Sequence, residues 1–366
     1  MRDLSPWKRK PVLWSLAVLL CIAGATAMVA QDPPPPEHKG TYYDKFGGHG
    51  HGHGHGHAQS HGHGHGHAQS HGHGHGHGHA VGHGHGHGHG SGRSAPLPPV
   101  QPVDLEKVPR VTWTNPQGGS FHDAGSWSGG AVPGAEDHAV IDLAGTYSVT
   151  LDQETRLTAL SLGAESGAQT LVLPTEALAV AGPATIGPSA VLELAGGRIT
   201  GDGDLVVLGE VQWSGGAISG RGKVRIEAGS RFSLTGDERK VLSVRHVENA
   251  GTLVWSGAGN LVVTFDAQIL NQQGARFDIA TGALLDVYGP PGPSVQNAGT
   301  LRVVADFKPT FETPLVNTGT LDLEAGGLHL LAGYSGEGTV MGREKLEVST
   351  PEEDAAIAAQ AGTDGG

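Results

Sequence analysis

A short asparagine-glycine motif recurs along the C-terminal half of the chain at intervals of 20 to 26 residues. Copies of Asn-x-Gly-Thr-Leu begin at Asn249, Asn297 and Asn317, and a degenerate copy begins at Asn271. An interval of this size, filled with short strands, matches one coil of a β-solenoid, in which each coil buries its inward side chains only by stacking on its neighbours. The repeat therefore predicts a stacked, quasi-one-dimensional fold.

The residues around the repeat favour strands over helices. Of the 366 residues, 61 are Gly and 22 are Pro, the two residues least compatible with helix interiors. Short apolar or alternating runs, such as 191–194 and 205–208, lie between glycines, as strands do. We predict an all-β fold over residues 111–348: a right-handed parallel β-helix of about nine coils, with stacked Asn amides hydrogen-bonded along its axis.

The first 27 residues have the pattern of a secretory signal peptide. A basic cluster at 8–10 precedes an apolar run from Val12 to Ala27, and small residues offer cleavage after Ala27 or Ala30. The run is intermediate in length between a signal and a membrane span, so an uncleaved, periplasm-facing N-terminal anchor is the alternative. We predict a secreted, cell-surface or outer-envelope protein with no membrane span after cleavage.

Four further segments differ in composition from the repeat region. They are a Pro-rich linker at 28–48, a His-Gly tract at 49–90, a second Pro-rich linker at 91–110 and an acidic tail at 349–366. We expect them to be disordered, because they contain few apolar side chains to offset the conformational entropy of an ordered backbone.

The His-Gly tract is the strongest chemical signal, since it holds 18 of the 23 histidines. Neutral imidazole is a common ligand of Zn²⁺, Ni²⁺ and Cu²⁺, and alternate residues of an extended chain point to the same side. We predict several weak, exchangeable metal sites that folding does not require; the alternative is a low-complexity segment that serves only solubility. The candidate ligands are His49, His51, His53, His55, His57, His61, His63, His65, His67, His71, His73, His75, His77, His79, His83, His85, His87 and His89.

Four histidines lie outside the tract and within the repeat region. His122 and His138 each stand beside an aspartate, which suggests a second metal site, but we expect a turn residue and a surface residue instead. His246 and His329 lie within repeat runs, where a structural role is the expectation.

Two other motifs also have a functional and a structural interpretation. The sequence Gly-Asp-Gly-Asp at 201–204 resembles calcium-binding turns, but it occurs once and we expect a plain turn. Three tryptophans could form a carbohydrate-stacking platform, but aromatic residues at equivalent points of different coils more often fill the interior, and we expect packing. These are Trp127, Trp213 and Trp255.

The charge pattern argues against nucleic acid as a partner. The chain has a formal net charge of −13, and residues 103–366 hold 32 acidic against 16 basic residues, so no concentrated basic face is available for phosphates. Nor does a Lys, Arg or Asp constellation repeat on neighbouring coils, so we predict that the protein is not an enzyme. The rival in that class is a polysaccharide-acting β-helix enzyme.

Several motifs resemble a known family. The motifs Trp-Thr-Asn at 113–115, Gly-Ser-Phe at 119–121 and Ala-Gly-Ser-Trp-Ser-Gly-Gly at 124–130 are similar to the N-terminal module of large bacterial secreted β-strand-repeat proteins. Those proteins resemble adhesins and autotransporter passengers. The motif at 211–216 and the Asn-x-Gly-Thr-Leu copies resemble the repeats that follow this module. The resemblance covers residues 111–340 and leaves the His-Gly tract outside the family pattern.

The resemblance implies a structural or adhesion-type protein of the cell surface, to which the His-Gly tract adds a metal-binding arm. The expected partners are transition-metal ions and surface polysaccharide or matrix components. The alternative is an extracytoplasmic protein that sequesters or delivers metal, with the solenoid as its carrier.

Overall fold

The computed structural model describes residues 102–288 and 294–349. The predicted signal peptide, the linker at 28–48, the His-Gly tract and nearly all of the acidic tail lie outside these residues. Of the linker at 91–110, the structure describes the last nine residues, which contain a 3-10 helix at Leu105–Lys107. In the described part of the chain, no helix has the length and apolar character needed to cross a bilayer.

The described residues form 32 short strands. The first sixteen are β1 (Arg110–Thr112), β2 (Gly119–Ser120), β3 (His138–Ile141), β4 (Gly145–Thr150), β5 (Thr155–Leu157), β6 (Ala159–Leu162), β7 (Gly167–Leu173), β8 (Ala177–Val180), β9 (Ala184–Ile186), β10 (Val191–Leu194), β11 (Arg198–Thr200), β12 (Leu205–Val207), β13 (Glu210–Trp213), β14 (Gly216–Ser219), β15 (Val224–Ile226) and β16 (Arg231–Leu234). The others are β17 (Lys240–Ser243), β18 (Val247–Asn249), β19 (Thr252–Trp255), β20 (Leu261–Thr264), β21 (Gln268–Asn271), β22 (Arg276–Ile279), β23 (Leu284–Tyr288), β24 (Ser294–Asn297), β25 (Thr300–Val303), β26 (Thr310–Phe311), β27 (Leu315–Asn317), β28 (Thr320–Asp322), β29 (Leu328–Leu330), β30 (Tyr334–Ser335), β31 (Thr339–Met341) and β32 (Leu346–Val348).

These strands form three parallel sheets, and successive strands of the chain pass from one sheet to the next. The first sheet has the order β1-β3-β6-β9-β12-β15-β18-β21-β24-β27-β30. The second has the order β2-β4-β7-β10-β13-β16-β19-β22-β25-β28-β31, and the third runs from β5 through β8, β11, β14, β17, β20, β23, β26 and β29 to β32. This is a β-solenoid, as predicted; the right-handed sense of its coil stays a prediction.

The solenoid makes about ten turns, one more than the sequence predicts, since its sheets contain 11, 11 and 10 strands. The length of individual coils varies around that of the Asn repeat. Leu192 is in register with Leu171 and with Val211, so these two coils take 21 and 19 residues, whereas the first coil, from Arg110 to His138, takes 28.

Alternation along most strands fills the interior. In β10, Leu192 and Leu194 are buried, whereas Val191 and Glu193 lie on the outer face. Since the side-chain period of a strand is two, a slip of one residue would bring Glu193 inside, so burial fixes the register. Parallel pairing then stacks the inward side chains into one continuous apolar core.

The repeated asparagines form a buried ladder along the first sheet, which confirms the predicted stacking of amides. The Nδ2 atom of Asn249 donates to Oδ1 of Asn271 at 2.8 Å, Asn271 donates to Asn297 at 2.7 Å, and Asn297 donates to Asn317 at 2.7 Å. The ladder ends where Asn317 donates to the hydroxyl of Tyr334 at 3.2 Å. Each amide pairs with the same group one coil on, so polar side chains are tolerated in the core.

At the corner between the third and first sheets, successive coils approach too closely for side chains. Gly201 and Gly220 stack there with φ of 113° and 105°, and a Cβ on Gly220 would overlap the carbonyl oxygen of Gly201. Only glycine meets both the left-handed backbone and the close contact.

Aromatic residues close the N-terminal end of the core. The rings of Trp113 and Trp127 meet edge to face with centroids 5.0 Å apart, and Phe121 contacts Trp127 at 4.9 Å. The indole N–H of Trp127 donates to the Phe121 carbonyl at 2.6 Å, so its polar atom is satisfied. Aromatic packing therefore closes the first coil.

A protein that begins at residue 102 is expected to fold without metal. Its core extends from Trp113 to Leu330 through apolar contacts, and every predicted metal ligand lies upstream. Circular dichroism should show β-structure and a cooperative thermal transition that a chelator does not shift. A chain that stays unfolded until metal is added would contradict this expectation.

Candidate functional site

The structure does not place the 18 candidate metal ligands, because all of them lie in 49–90, outside the described residues. In 102–288 and 294–349, no group of three or more His, Cys, Asp or Glu side chains lies close enough together to hold a metal ion. Metal binding by the tract therefore stays a prediction, and three of the four histidines of the solenoid have side-chain hydrogen-bond partners.

His122 occupies a turn, as expected, and connects the N-terminal module to the next coil. Its Nδ1 lies 2.7 Å from Oδ1 of Asp152, and its Nε2 lies 3.0 Å from Oγ1 of Thr155. The other oxygen of Asp152 accepts a hydrogen bond from Ser120 at 2.6 Å. Hydrogen bonds from Ser120 and His122 outweigh burial and lower the pKa of Asp152. The adjacent Asp123 caps a 3-10 helix at Ala124–Ser126, where its side chain accepts from the backbone N–H of Gly125.

His138 is buried, so the prediction of a surface residue is wrong. It lies in β3, only 9% of its surface is exposed, and its Nε2 is 2.8 Å from Oγ of Ser161. The reason is that β1, not β3, is the edge strand of the first sheet. β1 pairs with β3 and places Arg110 in register with His138. Burial, reinforced by the positive charge of Arg110, lowers the pKa of His138.

The lowered pKa of His138 predicts a loss of stability in mild acid. The unfolded chain takes up a proton on this residue near pH 6.5, whereas the folded chain does so only at lower pH. The free energy of unfolding should therefore fall as the pH drops through about 6.5 and level off at the native pKa. Urea titrations of the wild type and of His138→Gln between about pH 7.5 and pH 5 measure this effect. The variant should lose less stability than the wild type over that range; parallel curves would refute the assignment.

The Gly-Asp-Gly-Asp segment is an ordinary corner, as expected, because cationic groups occupy both of its carboxylates. Asp202 pairs with Arg221, and this hydrogen bond lowers the pKa of Asp202. Asp204 accepts hydrogen bonds from the backbone of Lys223 at 2.8 Å and from the side chain of Arg225 at 2.9 Å. Both carboxylates therefore form cross-coil ion pairs in place of a calcium site.

The remaining two histidines have structural positions, as expected. His246 is half-buried at the same corner, where its carbonyl accepts the N–H of Val224 at 2.8 Å. His329 lies on the outer face of β29, with its Nε2 2.9 Å from Oγ of Ser349.

The same corner contains a buried cation that the sequence did not reveal. Arg245 is 1% exposed and donates to the carbonyl oxygens of Gly201 at 2.7 Å and Ser219 at 3.2 Å, so it joins three coils. Burial lowers the pKa of Arg245 to about 10. Because its partners are backbone carbonyls of two other coils, Arg245 stabilises the stacking of coils at this corner.

The predicted packing role of the three tryptophans is confirmed. Trp127 and Trp213 are 2% exposed, and Trp255 is fully buried. Trp213 and Trp255 occupy the same inward column of the second sheet, separated by Leu234. A carbohydrate platform built from these rings is therefore excluded.

Exposed apolar side chains instead line the far edge of the third sheet. We call Val244, Phe265 and Tyr288 the corner strip; their exposed fractions are 39%, 46% and 54%. Thr264 is in register with Ser243 and with Tyr288, which places these residues on three successive coils. At about 4.8 Å per coil, the strip extends about 10 Å along the solenoid.

The backbone is strained at two residues of the strip and at the residue that follows Phe265. Val244 has a φ of 67°, Phe265 a φ of 45° and Asp266 a φ of 26°, in the left-handed region that β-branched and bulky residues avoid. Alternation would direct Val244 and Phe265 into the core, in line with Leu242 and Val263, but the left-handed turn puts them outside. Such strain is concentrated at functional positions in proteins.

A pair of carboxyl groups lies on the outer face beside the strip. Asp286 is two residues before Tyr288 on β23, and its side chain shares a hydrogen bond with Glu312 of the next coil. Burial and the neighbouring Asp286 raise the pKa of Glu312. The backbone N–H of Val287 donates to Oε2 of Glu312 at 3.4 Å. Carboxyl oxygens at the surface accept hydrogen bonds, and a carboxyl group that keeps its proton also donates one.

Between the strip and the carboxyl pair lies a hydroxyl group with no partner. Thr264 is 6% exposed, and its Oγ1 makes no hydrogen bond within the described part of the chain. Val263 points into the core, so Thr264 faces outward, on the same side as Tyr288. A buried hydroxyl without a partner costs about 1–3 kcal/mol, and such groups are rare in folded proteins.

The geometry defines a class, the parallel β-solenoid with a filled core and a polar-aromatic site on one outer edge. No family model, no curated protein and no solved structure matched the chain. The resemblance to secreted β-strand-repeat proteins therefore stays a prediction from the motifs.

Proposed function

We propose that the protein is a secreted or cell-surface structural protein of the adhesion type, built as a β-solenoid with a metal-binding polyhistidine arm. The observation that carries this proposal is the continuous core, which fills the three-sheet coil from Trp113 to Leu330. Such a coil offers its outer faces and corners, at a regular spacing, to other molecules.

The Asp286–Glu312 pair on the third sheet supports a binding role over a hydrolytic one. Glycoside hydrolysis needs two carboxyl groups separated by about 5 Å or more, so that a sugar or a water fits between them. Asp286 and Glu312 instead hydrogen-bond to each other. They are arranged to hold hydroxyl groups rather than to cleave a glycosidic bond.

A deletion strain of the source organism tests the proposal. The adhesion-type role predicts that the strain loses surface attachment or matrix integrity and that the wild-type gene restores it. Cell fractionation should recover the mature protein outside the cytoplasm. Normal attachment combined with zinc or copper sensitivity would overturn the proposal in favour of metal sequestration, and a cytoplasmic protein would overturn both.

A further inference from the structure

We infer that the corner strip, together with Thr264, Asp286 and Glu312, is a binding site for an uncharged polysaccharide. This inference rests on the proposed adhesion-type function and gives it a site and a ligand class. Two independent observations point to a ligand: two exposed aromatic rings, of which Phe265 is held outside by a strained backbone, and a nine-tenths buried hydroxyl without a partner beside them.

The apolar part of the site fits the face of a sugar ring. Phe265 and Tyr288 lie on neighbouring coils, with the N–H of Phe265 donating to the carbonyl of Tyr288 at 3.4 Å. Aromatic rings present an apolar face with polarised edges, and the C–H groups on one face of a pyranose pack against such a surface. A strip of about 10 Å over three coils offers room for about two sugar units.

The polar part of the site fits sugar hydroxyls. A sugar hydroxyl both donates and accepts, so it can pair with the unpartnered hydroxyl of Thr264 and donate to the carboxyl oxygens of Asp286 and Glu312. A sugar hydroxyl bound to Oγ1 of Thr264 would remove the cost of leaving this atom unpaired.

Charge selects among polysaccharides. The carboxyl pair on the site and the net charge of −13 disfavour an acidic chain such as a polyuronate. An uncharged chain gains the ring contacts and hydrogen bonds without this repulsion. The site is therefore assigned to neutral glycans.

Two substitutions, Phe265→Asn and Thr264→Val, separate a loss of binding from a loss of folding. Phe265→Asn removes the ring and places in the left-handed position a residue that tolerates it, so the fold should keep or gain stability. Thr264→Val replaces an unpaired hydroxyl by a methyl group of similar shape, which should also leave stability unchanged or raised. Loss of binding in these variants is then not a consequence of unfolding.

Affinity electrophoresis of the full chain in native gels tests the inference. The gels contain hydroxyethylcellulose, xyloglucan, mannan or laminarin, with polygalacturonate as the acidic comparison. At least one neutral polymer should retard the wild type, and polygalacturonate should not. Phe265→Asn and Tyr288→Ala should each weaken retardation about tenfold or more, which corresponds to the loss of one main contact. Thr264→Val should weaken it less, while its thermal transition stays at or above that of the wild type.

Phe307→Ala is the matched control, since Phe307 is also an exposed aromatic residue, at 40%, but lies at the corner between the second and third sheets. It should leave retardation unchanged. The inference fails if no neutral polymer retards the wild type, or if Phe307→Ala weakens binding as much as the strip variants do. It also fails if light scattering shows that the strip variants only abolish self-association.

Complementation separates this inference from the proposed function. If the deletion strain loses attachment and the Phe265→Asn, Tyr288→Ala double variant restores it fully, the function holds and this site is wrong. If the double variant fails to restore attachment while the Phe307→Ala variant succeeds, both hold. If the deletion strain attaches normally, the proposed function itself is wrong.

Discussion

Replacing Asn271 with alanine is expected to lower the free energy of unfolding by about 3 kcal/mol or more. The amide of Asn271 accepts from Asn249 at 2.8 Å and donates to Asn297 at 2.7 Å and to the carbonyl of Thr300 at 3.1 Å. Asn271 is 1% exposed, and Asn249 and Asn297 are equally shielded from water. The substitution would therefore remove three hydrogen bonds from buried groups: one of the two that Nδ2 of Asn249 makes, and those that Oδ1 of Asn297 and the carbonyl of Thr300 accept. A buried polar group that loses a partner costs about 1–3 kcal/mol.

Urea denaturation of three variants measures this effect. Asn271→Asp keeps the size of the side chain but removes both N–H donors, so it should be at least as destabilising as Asn271→Ala. Gln296→Ala is the control, because Gln296 lies on the exposed outer face beside the ladder. It should change stability by no more than about 0.5 kcal/mol. If Asn271→Ala were as mild as the control, the ladder would not stabilise the coil.

The ladder and the solenoid could be predicted from the sequence for the same reason. A coil buries its side chains only against its neighbours, so a buried amide needs the same amide one coil away. Asn249, Asn271, Asn297 and Asn317 therefore recur at intervals equal to the coil lengths. The intervals between these identical residues give both the fold class and the hydrogen-bonding pattern.

The candidate site could not be predicted, because it depends on departures from alternation. Continued alternation from Leu242 and Val263 would put Val244 and Phe265 in the core. A left-handed backbone places them outside instead. The residue types do not indicate this conformation, because Val and Phe rarely adopt it. One sequence signal was available: the run Val-Val-Thr-Phe at 262–265 has too many apolar residues for a strand with one outer face.

The burial of two charged side chains could not be predicted from the sequence, for a different reason. Arg245 and Lys240 are 1% and 0% exposed, although charged residues are ordinarily placed at the surface. Lys240 donates to the carbonyl of Glu238 at 2.8 Å, just as Arg245 donates to corner carbonyls. Their partners are backbone oxygens, which every residue has, so no pairing motif appears in the sequence.

Deleting residues 49–90 is expected to abolish high-stoichiometry binding of Zn²⁺. The tract contains 18 histidines, whereas the described solenoid has no cluster of three or more potential metal ligands. Four imidazoles complete a tetrahedral site, so the full chain should bind several ions, up to about four. The deletion variant should bind none of these and should unfold at the same temperature as the full chain, because the core begins at Trp113.

Isothermal titration calorimetry at about pH 7.5, where free imidazole is mostly neutral, measures the stoichiometry. Two matched variants locate the ligands: a deletion of the Pro-rich segment 28–48, and a full chain in which His122, His246 and His329 are replaced by glutamine. Both should retain the wild-type stoichiometry. Equal stoichiometry in the wild type and in the 49–90 deletion would place the ions on the solenoid and overturn the prediction.

The same deletion variant also tests whether the arm and the corner strip act independently. They do so if the deletion removes metal binding and leaves retardation by neutral polysaccharide intact. Metal uptake and adhesion would then be separable properties of one chain.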